Sequence, residues 1–293
     1  MSDPLAVIAG LPGVSEAVQD ARAAVDRLYG HRVLRRRGPE VSAESALRGA
    51  RASAALEGAD ISLESFRSGA AGSPVAQGAL RASSEVGRLG PTWRTAPRQV
   101  LARLHALAAA DLLGAPAPGS TADDVLGTAM SDVPGAAPSG GPRAGASDLL
   151  GRPRTGAATS DLLGIGPAPG AEAAAARIAS LVTLITTPSK APALLLAAIV
   201  HAELVVLRPF GTADGLVARA AERLTLVEFG LDPKSLVVVE VGHAALGDAY
   251  AESLRGYLKG TAEGVSGWVR HCATAVELGA RETLAICEAL QRG

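Results

Sequence analysis

The stretch HAELVVLRPFGTADGLVAR, His201 to Arg219, decides how this chain is read. An apolar run breaks at a rigid Pro-Phe step, two glycines follow, and a second amphipathic run begins. The break predicts two helices, one over Ala193 to Leu207 entered through Pro192, the next over Asp214 to Phe229. Helix N-termini carry unpaired amide donors and the positive end of the dipole, so a glycine-bearing loop there is a natural anion site. Many helices begin with Gly or Asp and bind nothing, so this pattern alone assigns no chemistry.

Outward from that stretch, the same periodicity predicts further helices. On the N-terminal side they cover Val14 to Leu28, Ser42 to Leu56, a short turn at Ile61 to Phe66, Val75 to Leu89 and Ala96 to Leu113. On the C-terminal side they cover Glu172 to Ile185, Ala244 to Lys259 and a long final helix from Val265 to Leu290. LVVVEV (Leu236 to Val241) reads either as a strand or as a buried helical turn. Between Ala115 and Gly170 there is no aromatic and no Lys, and Ala, Gly, Pro, Ser and Thr dominate. Such a composition buries too little apolar surface to offset ordering entropy, so this tract is expected to be disordered. DLLG occurs at its edge (Asp111 to Gly114) and twice within it (Asp148 to Gly151, Asp161 to Gly164), read as local duplication or a docking motif.

Composition agrees with an all-α fold. Apolar residues make up 48% of the chain but aromatics only 3%, so the core must be built from Ala, Leu and Val, and Ala and Leu favour helices. A net charge of −1 without long charge runs argues against nucleic acid as a ligand. The one basic cluster, HRVLRRR (His31 to Arg37), reads as a solvated helix end. Lys occurs only at positions 190, 234 and 259, and with the Ala/Gly/Pro excess this suggests a high-GC bacterial coding bias. No signal peptide and no span of ~20 apolar residues is visible, so a cytoplasmic protein without membrane contact is expected. Cys272 and Cys287, roughly 22 Å apart along one helix, are beyond disulfide reach and outside any metal-ligand spacing.

The quoted stretch resembles, without a gap, the signature of the Fic (Fido) family, His-Pro-Phe-x-(Asp/Glu)-Gly-Asn-Gly-Arg-x-x-Arg. Pro209, Phe210, Gly215 and Arg219 match it, and His201 stands where such proteins often carry a histidine. ASAALEG (Ala52 to Gly58) resembles the family's inhibitory-helix motif through Ser53, Glu57 and Gly58. GRPR (Gly151 to Arg154) is similar to a remnant of the flap that positions target peptides, and SGWVRHCATAVELGA (266–280) to the Trp-bearing helix after the core. The resemblance implies an all-α, Fic-like helical fold with N-terminal helices packed on the core. The chain is expected to divide into a flexible N-terminus over 1–13 and an N-terminal helical part over 14–113 with the inhibitory-like helix at 42–57. A low-complexity disordered insertion over 114–170 and a Fic-like core over 171–293 complete the expected plan.

The departures from the signature set the functional expectation. In the family the motif His takes a proton from a target hydroxyl that attacks a nucleotide phosphate; here that position is Arg208, which cannot act as a base. The acid that holds magnesium is replaced by Thr212, the Gly-Asn-Gly cradle by Ala213-Asp214-Gly215, and the first phosphate-binding Arg by Leu216. Asp214 is expected to cap free amides at the helix start, and Arg208 to reach a neighbouring acid such as Asp214. Alternatively Arg208, Gly215 and Arg219 still bind an anion. Glu57 and Arg219 would form a structural tie between the N-terminal helix and the core.

The resulting expectation is a catalytically degenerate, non-AMPylating protein with a regulatory or protein-interaction role. The alternatives are a divergent nucleotidyl- or phosphate-group transferase, with His201 or Asp214 as base, and a nucleotide sensor. No cofactor and no metal site is expected, and ATP with magnesium only if nucleotide binding survives. The expected partner is an unidentified protein, and a homodimer is compatible with the sequence. His201 reads as a core histidine; His31, His105, His243 and His271 have no metal-spaced companion. Trp93 and Trp268 are expected to anchor the packing, and no Gly-Xaa-Ser-Xaa-Gly elbow or HExxH is present.

Overall fold

A computed structural model describes residues 3–113, 149–158 and 160–292. Its helices, in chain order, are α1 (Pro4–Ala9), α2 (Val14–Tyr29), α3 (Leu34–Leu56), α4 (Leu63–Arg67), α5 (Pro74–Trp93) and α6 (Pro97–Ala109). Then come α7 (Ala171–Thr186), α8 (Ala193–Leu207), α9 (Asp214–Glu228), α10 (Val239–Ala245), α11 (Asp248–Leu258) and α12 (Ala262–Arg292). No strand occurs among the described residues.

Helix α8 is apolar on every face except for His201 and Glu203, and all its residues from Leu194 to Leu207 are buried. A helix without a polar face must be surrounded, and α9, α7, α12, α11 and α1 pack around it. Helix α9 is covered in turn by α5, α6 and α3. Glycine and alanine let these helices approach closely. A Cβ at Gly78 of α5 would lie 2.1 Å from the Ala108 carbonyl of α6, and one at Gly242 of α10 would lie 2.0 Å from the Ala275 carbonyl of α12. The scarce aromatics tie the layers together. Trp93 donates from Nε1 to Thr225 Oγ1 of α9 at 3.1 Å, and Trp268 donates to the Ala198 carbonyl of α8 at 2.7 Å.

Several boundaries differ from the sequence reading. Residues 3–13 are not loose: Asp3 caps α1 by accepting the Leu5 amide at 2.9 Å, and Leu5 is buried. This short apolar turn packs on α8 and α12. The helix carrying Glu57 starts at Leu34, not Ser42, because it continues through a kink at Arg37. Pro39 inside it cannot donate its backbone nitrogen, which accounts for the bend. Of the tract expected to be disordered, residues 114–148 lie outside the described residues. Residues 149–158 and 160–170 are instead bound to the motif loop, as detailed below. LVVVEV forms no strand. Its first residues turn across the Asp232 carboxylate, which accepts the amides of Leu236 and Val237, and the remainder opens α10.

Among the described residues, no helix is long and apolar enough to cross a membrane.

Candidate functional site

The loop between α8 and α9 turns by left-handed backbone at Arg208 (φ 44°), Gly211 (φ 78°) and Ala213 (φ 52°). Two of these are not glycine, and side chains there are disfavoured unless their surroundings hold them. The surroundings are visible. The Arg208 guanidinium donates from Nη1 to the Ser160 carbonyl and from Nη2 to the Gly166 carbonyl, and Nη1 lies 3.6 Å from the Asp161 carboxylate. Asp161 also accepts the amides of Ile165 (3.0 Å) and Gly166 (2.9 Å), so the turn 161–166 is wound around one carboxylate.

Arg154, in the flap-like GRPR, secures the same loop from the other side. Its amide donates to the Pro209 carbonyl at 2.8 Å, and its guanidinium donates to the carbonyls of Arg208 (2.8 Å), Leu207 (3.1 Å) and Pro169 (2.5 Å). The loop is therefore held by two arginines that bond backbone carbonyls. A carbonyl partner carries no signature in the sequence, which is why the role of Arg154 was not legible there.

Arg208 does not pair with Asp214, contrary to expectation. Asp214 accepts the Phe210 amide at 3.0 Å, from the loop before the helix, and makes no side-chain cap on α9. The carboxylate is drawn back over the loop because Ala213, in left-handed conformation, turns the chain there. Burial raises its pKa to about 7, against the opposing effect of the Phe210 and Gly211 amides.

Thr212 faces His105 of α6. His105 stacks on the Phe210 ring with centroids 4.2 Å apart, accepts the Gly151 amide on Nδ1 at 2.9 Å and contacts Thr212 Oγ1 through Nε2 at 3.0 Å. With Nδ1 accepting, the ring proton sits on Nε2 and points at the Thr212 hydroxyl. Burial lowers the His105 pKa to about 4, so the ring is neutral. Its helical position gave no hint of this contact.

Behind the loop, Arg219 enters α3. It donates from Nε to Ser53 Oγ (2.8 Å) and from Nη2 to the Ser53 carbonyl (3.0 Å) and Glu57 Oε1 (2.7 Å), while its buried Nη1 has no partner. Ser53 thus accepts from Arg219 through both its hydroxyl and its carbonyl. Glu57 is the C-cap residue of α3, and Gly58 leaves the helix with φ 84°. Gly215 offers no cradle to an outside anion: a Cβ there would meet Glu57 Oε1 at 1.9 Å, so its missing side chain houses this carboxylate. Leu216 is a core residue, 2% exposed, bordering Ala79, Ala82 and Val86 of α5.

The cavity among Glu57, Asp161, Arg208, Thr212, Asp214 and Gly215 measures about 80 Å³. Pockets that enclose small ligands run to roughly 300 Å³ and more, so this one is too small for a nucleotide as it stands.

One turn further along α9, Glu222 joins a second cluster that sequence spacing did not reveal. His201 of α8 contacts Glu222 Oε2 through Nδ1 at 2.6 Å, and His243 of α10 contacts the same oxygen through Nε2 at 2.9 Å. The outer nitrogens are also engaged, His201 Nε2 with the Tyr250 hydroxyl (2.7 Å) and His243 Nδ1 with His271 Nε2 (3.1 Å). Burial lowers the pKa of His201 to about 4 and that of His271 to about 3, and the adjoining imidazoles hold the Glu222 carboxylate ionised. His201 is therefore a buried histidine in a polar network, and histidines without metal-spaced companions along the chain meet in space. The ligating atoms of His201, Glu222 and His243 lie within 4.8 Å of one another. They come from three helices whose packing alone brings them together.

No family model matches the chain, and no curated protein matches it significantly. Among solved structures, the crystal structure of a Fic family protein from Desulfovibrio desulfuricans G20 is similar, with a TM-score of 0.68 and 18% identity. The match covers 94% of this chain and 75% of that one. The fold is accordingly that of a Fic protein: an all-helical core with N-terminal helices against it.

Proposed function

We propose that this Fic-like protein does not AMPylate and acts instead as a cytoplasmic regulatory or protein-interaction protein. The observation that carries this reading is the engagement of Arg208. A permanently charged side chain stands at the family's base position and is bonded to the carbonyls of Ser160 and Gly166. Around it, Thr212 is occupied by His105, Leu216 is in the core, and Glu57 holds Arg219. Neither a base of the family type nor an acidic metal ligand remains in the motif. The test is incubation with labelled ATP, magnesium and a cell lysate, for the wild type and for Glu57→Gly, which frees Arg219. No label should be transferred by either; robust labelling by the variant would overturn the reading.

One observation favours a divergent transferase as a second reading. Asp214 borders the small cavity, and with its pKa near 7 it has the proton affinity of a general base. On that reading Asp214→Asn abolishes a transfer activity that wild-type protein shows with some other phosphate donor. Profiling the protein against several labelled nucleotides decides between the two.

A further inference from the structure

We propose that His201, Glu222 and His243 form a binding site for a divalent transition-metal ion of the zinc class, separate from the motif loop. Three features of the geometry point there. First, His201 Nδ1 and His243 Nε2 converge on a single oxygen of Glu222, at 2.6 and 2.9 Å, although the three residues belong to different helices. Two ring protons now occupy the point that one cation would fill. Second, each imidazole has its outer nitrogen held by another group, Tyr250 for His201 and His271 for His243. That arrangement fixes ring orientation, which is what the outer hydrogen bond of a metal-bound histidine does. Third, the three ligand residues are buried to within 1% exposure, beside the buried Tyr250, Trp268 and His271. Their present partners are one another, and a cation between them takes the place of the two contacts to Glu222 Oε2.

Two imidazoles and a carboxylate select zinc or its neighbours over magnesium or calcium, which prefer all-oxygen sites. Ligand atoms around tetrahedral zinc sit about 3.3 Å apart for bonds of ~2.0 Å, so the cluster opens by several tenths of an ångström on binding. Each imidazole keeps one proton, moved to its outer nitrogen, where His201 then donates to Tyr250 and His243 to His271. His271 in turn carries its own proton on Nδ1. No proton is lost from the histidines, and the carboxylate is already ionised. Because the site is enclosed, the ion enters as the chain folds.

The experiment uses the full chain without a histidine tag. Elemental analysis of the purified protein should find about one zinc-class ion per chain, reduced at least several-fold in His243→Gln and His201→Gln. The second measurement does not depend on the variants folding. Wild-type protein is unfolded with guanidinium and a chelator, then refolded with cobalt(II) or without metal. Cobalt should give the visible absorption of a low-coordinate imidazole–carboxylate site and raise the melting temperature. Folded protein with under roughly a tenth of an equivalent of metal, refolding to the same melting temperature with and without cobalt or zinc, would overturn the proposal. None of these readouts depends on whether the motif loop transfers nucleotides.

Discussion

The Glu57 carboxylate occupies the space where a side chain at Gly215 would stand, 1.9 Å from the position of a Cβ. Glycine at 215 and glutamate at 57 are therefore two halves of one contact, and the Glu57–Arg219 bond at 2.7 Å depends on both.

Gly215→Ala should displace Glu57 and leave the Arg219 guanidinium, 1% exposed, without its counter-charge. Removing one partner of a buried ion pair costs on the order of 3 kcal/mol, so both Gly215→Ala and Glu57→Ala are expected to lower unfolding stability by about that much. The double variant should lose much less than the sum, because both changes break one contact. Denaturant titration of the four proteins checks this, and simple additivity would show that the two residues act separately.

Arg208→Ala frees the carbonyls of Ser160 and Gly166 together. Hydrogen bonds to a charged donor contribute about 1.5–3 kcal/mol, and the loss should fall on the turn 161–166 before the helices. Hydrogen exchange at the amides of Ile165 and Gly166 should accelerate while those of α8 stay protected. Uniform acceleration across the chain would contradict a local clamp.

Asp214 makes stability depend on pH. Its folded pKa, about 7, lies above the ordinary 3.8, so the folded state binds the extra proton between those values. The sign follows: the contribution of Asp214 is most favourable at low pH and is lost as pH rises from about 4 to 7. Asp214→Asn should flatten that part of the stability–pH curve, with the gain over wild type largest above pH 7. Parallel curves for the two proteins would remove Asp214 as the cause.

Leu216→Arg, which places there the arginine of the motif that the stretch resembles, should not create phosphate binding. The side chain would enter the space bordered by Ala79, Ala82 and Val86, where a guanidinium finds no carboxylate except Glu240 at the margin. Burying a charge with so little compensation is expected to cost at least 3 kcal/mol or to leave the protein insoluble. A soluble variant of unchanged melting temperature that binds ATP would refute this account of position 216.

How much of this was legible in the sequence depended on what kind of partner each residue has. Helix α8 was readable to the residue, because fifteen apolar-dominated positions between Pro192 and a turn leave no other structure. The closeness of Glu57 to Arg219 was legible through resemblance, since two motifs far apart in the chain imply each other; the bonds from Arg219 to Ser53 were not. The partners of Arg208 were not legible: they are carbonyls in a stretch whose composition suggested disorder, and carbonyls are the same in every residue. Nor were the partners of His201. Glu222 and Tyr250 stand on separate helices, and no spacing along one helix connects them to His201.

The clamp at Arg208 bears on how such a site could change through descent. A histidine at 208 has no guanidinium to bond the Ser160 and Gly166 carbonyls together. Any change at 208 thus carries a folding cost, whatever chemistry the motif performs. Because the guanidinium supports residues 160–166, selection for folding alone is enough to keep an arginine there.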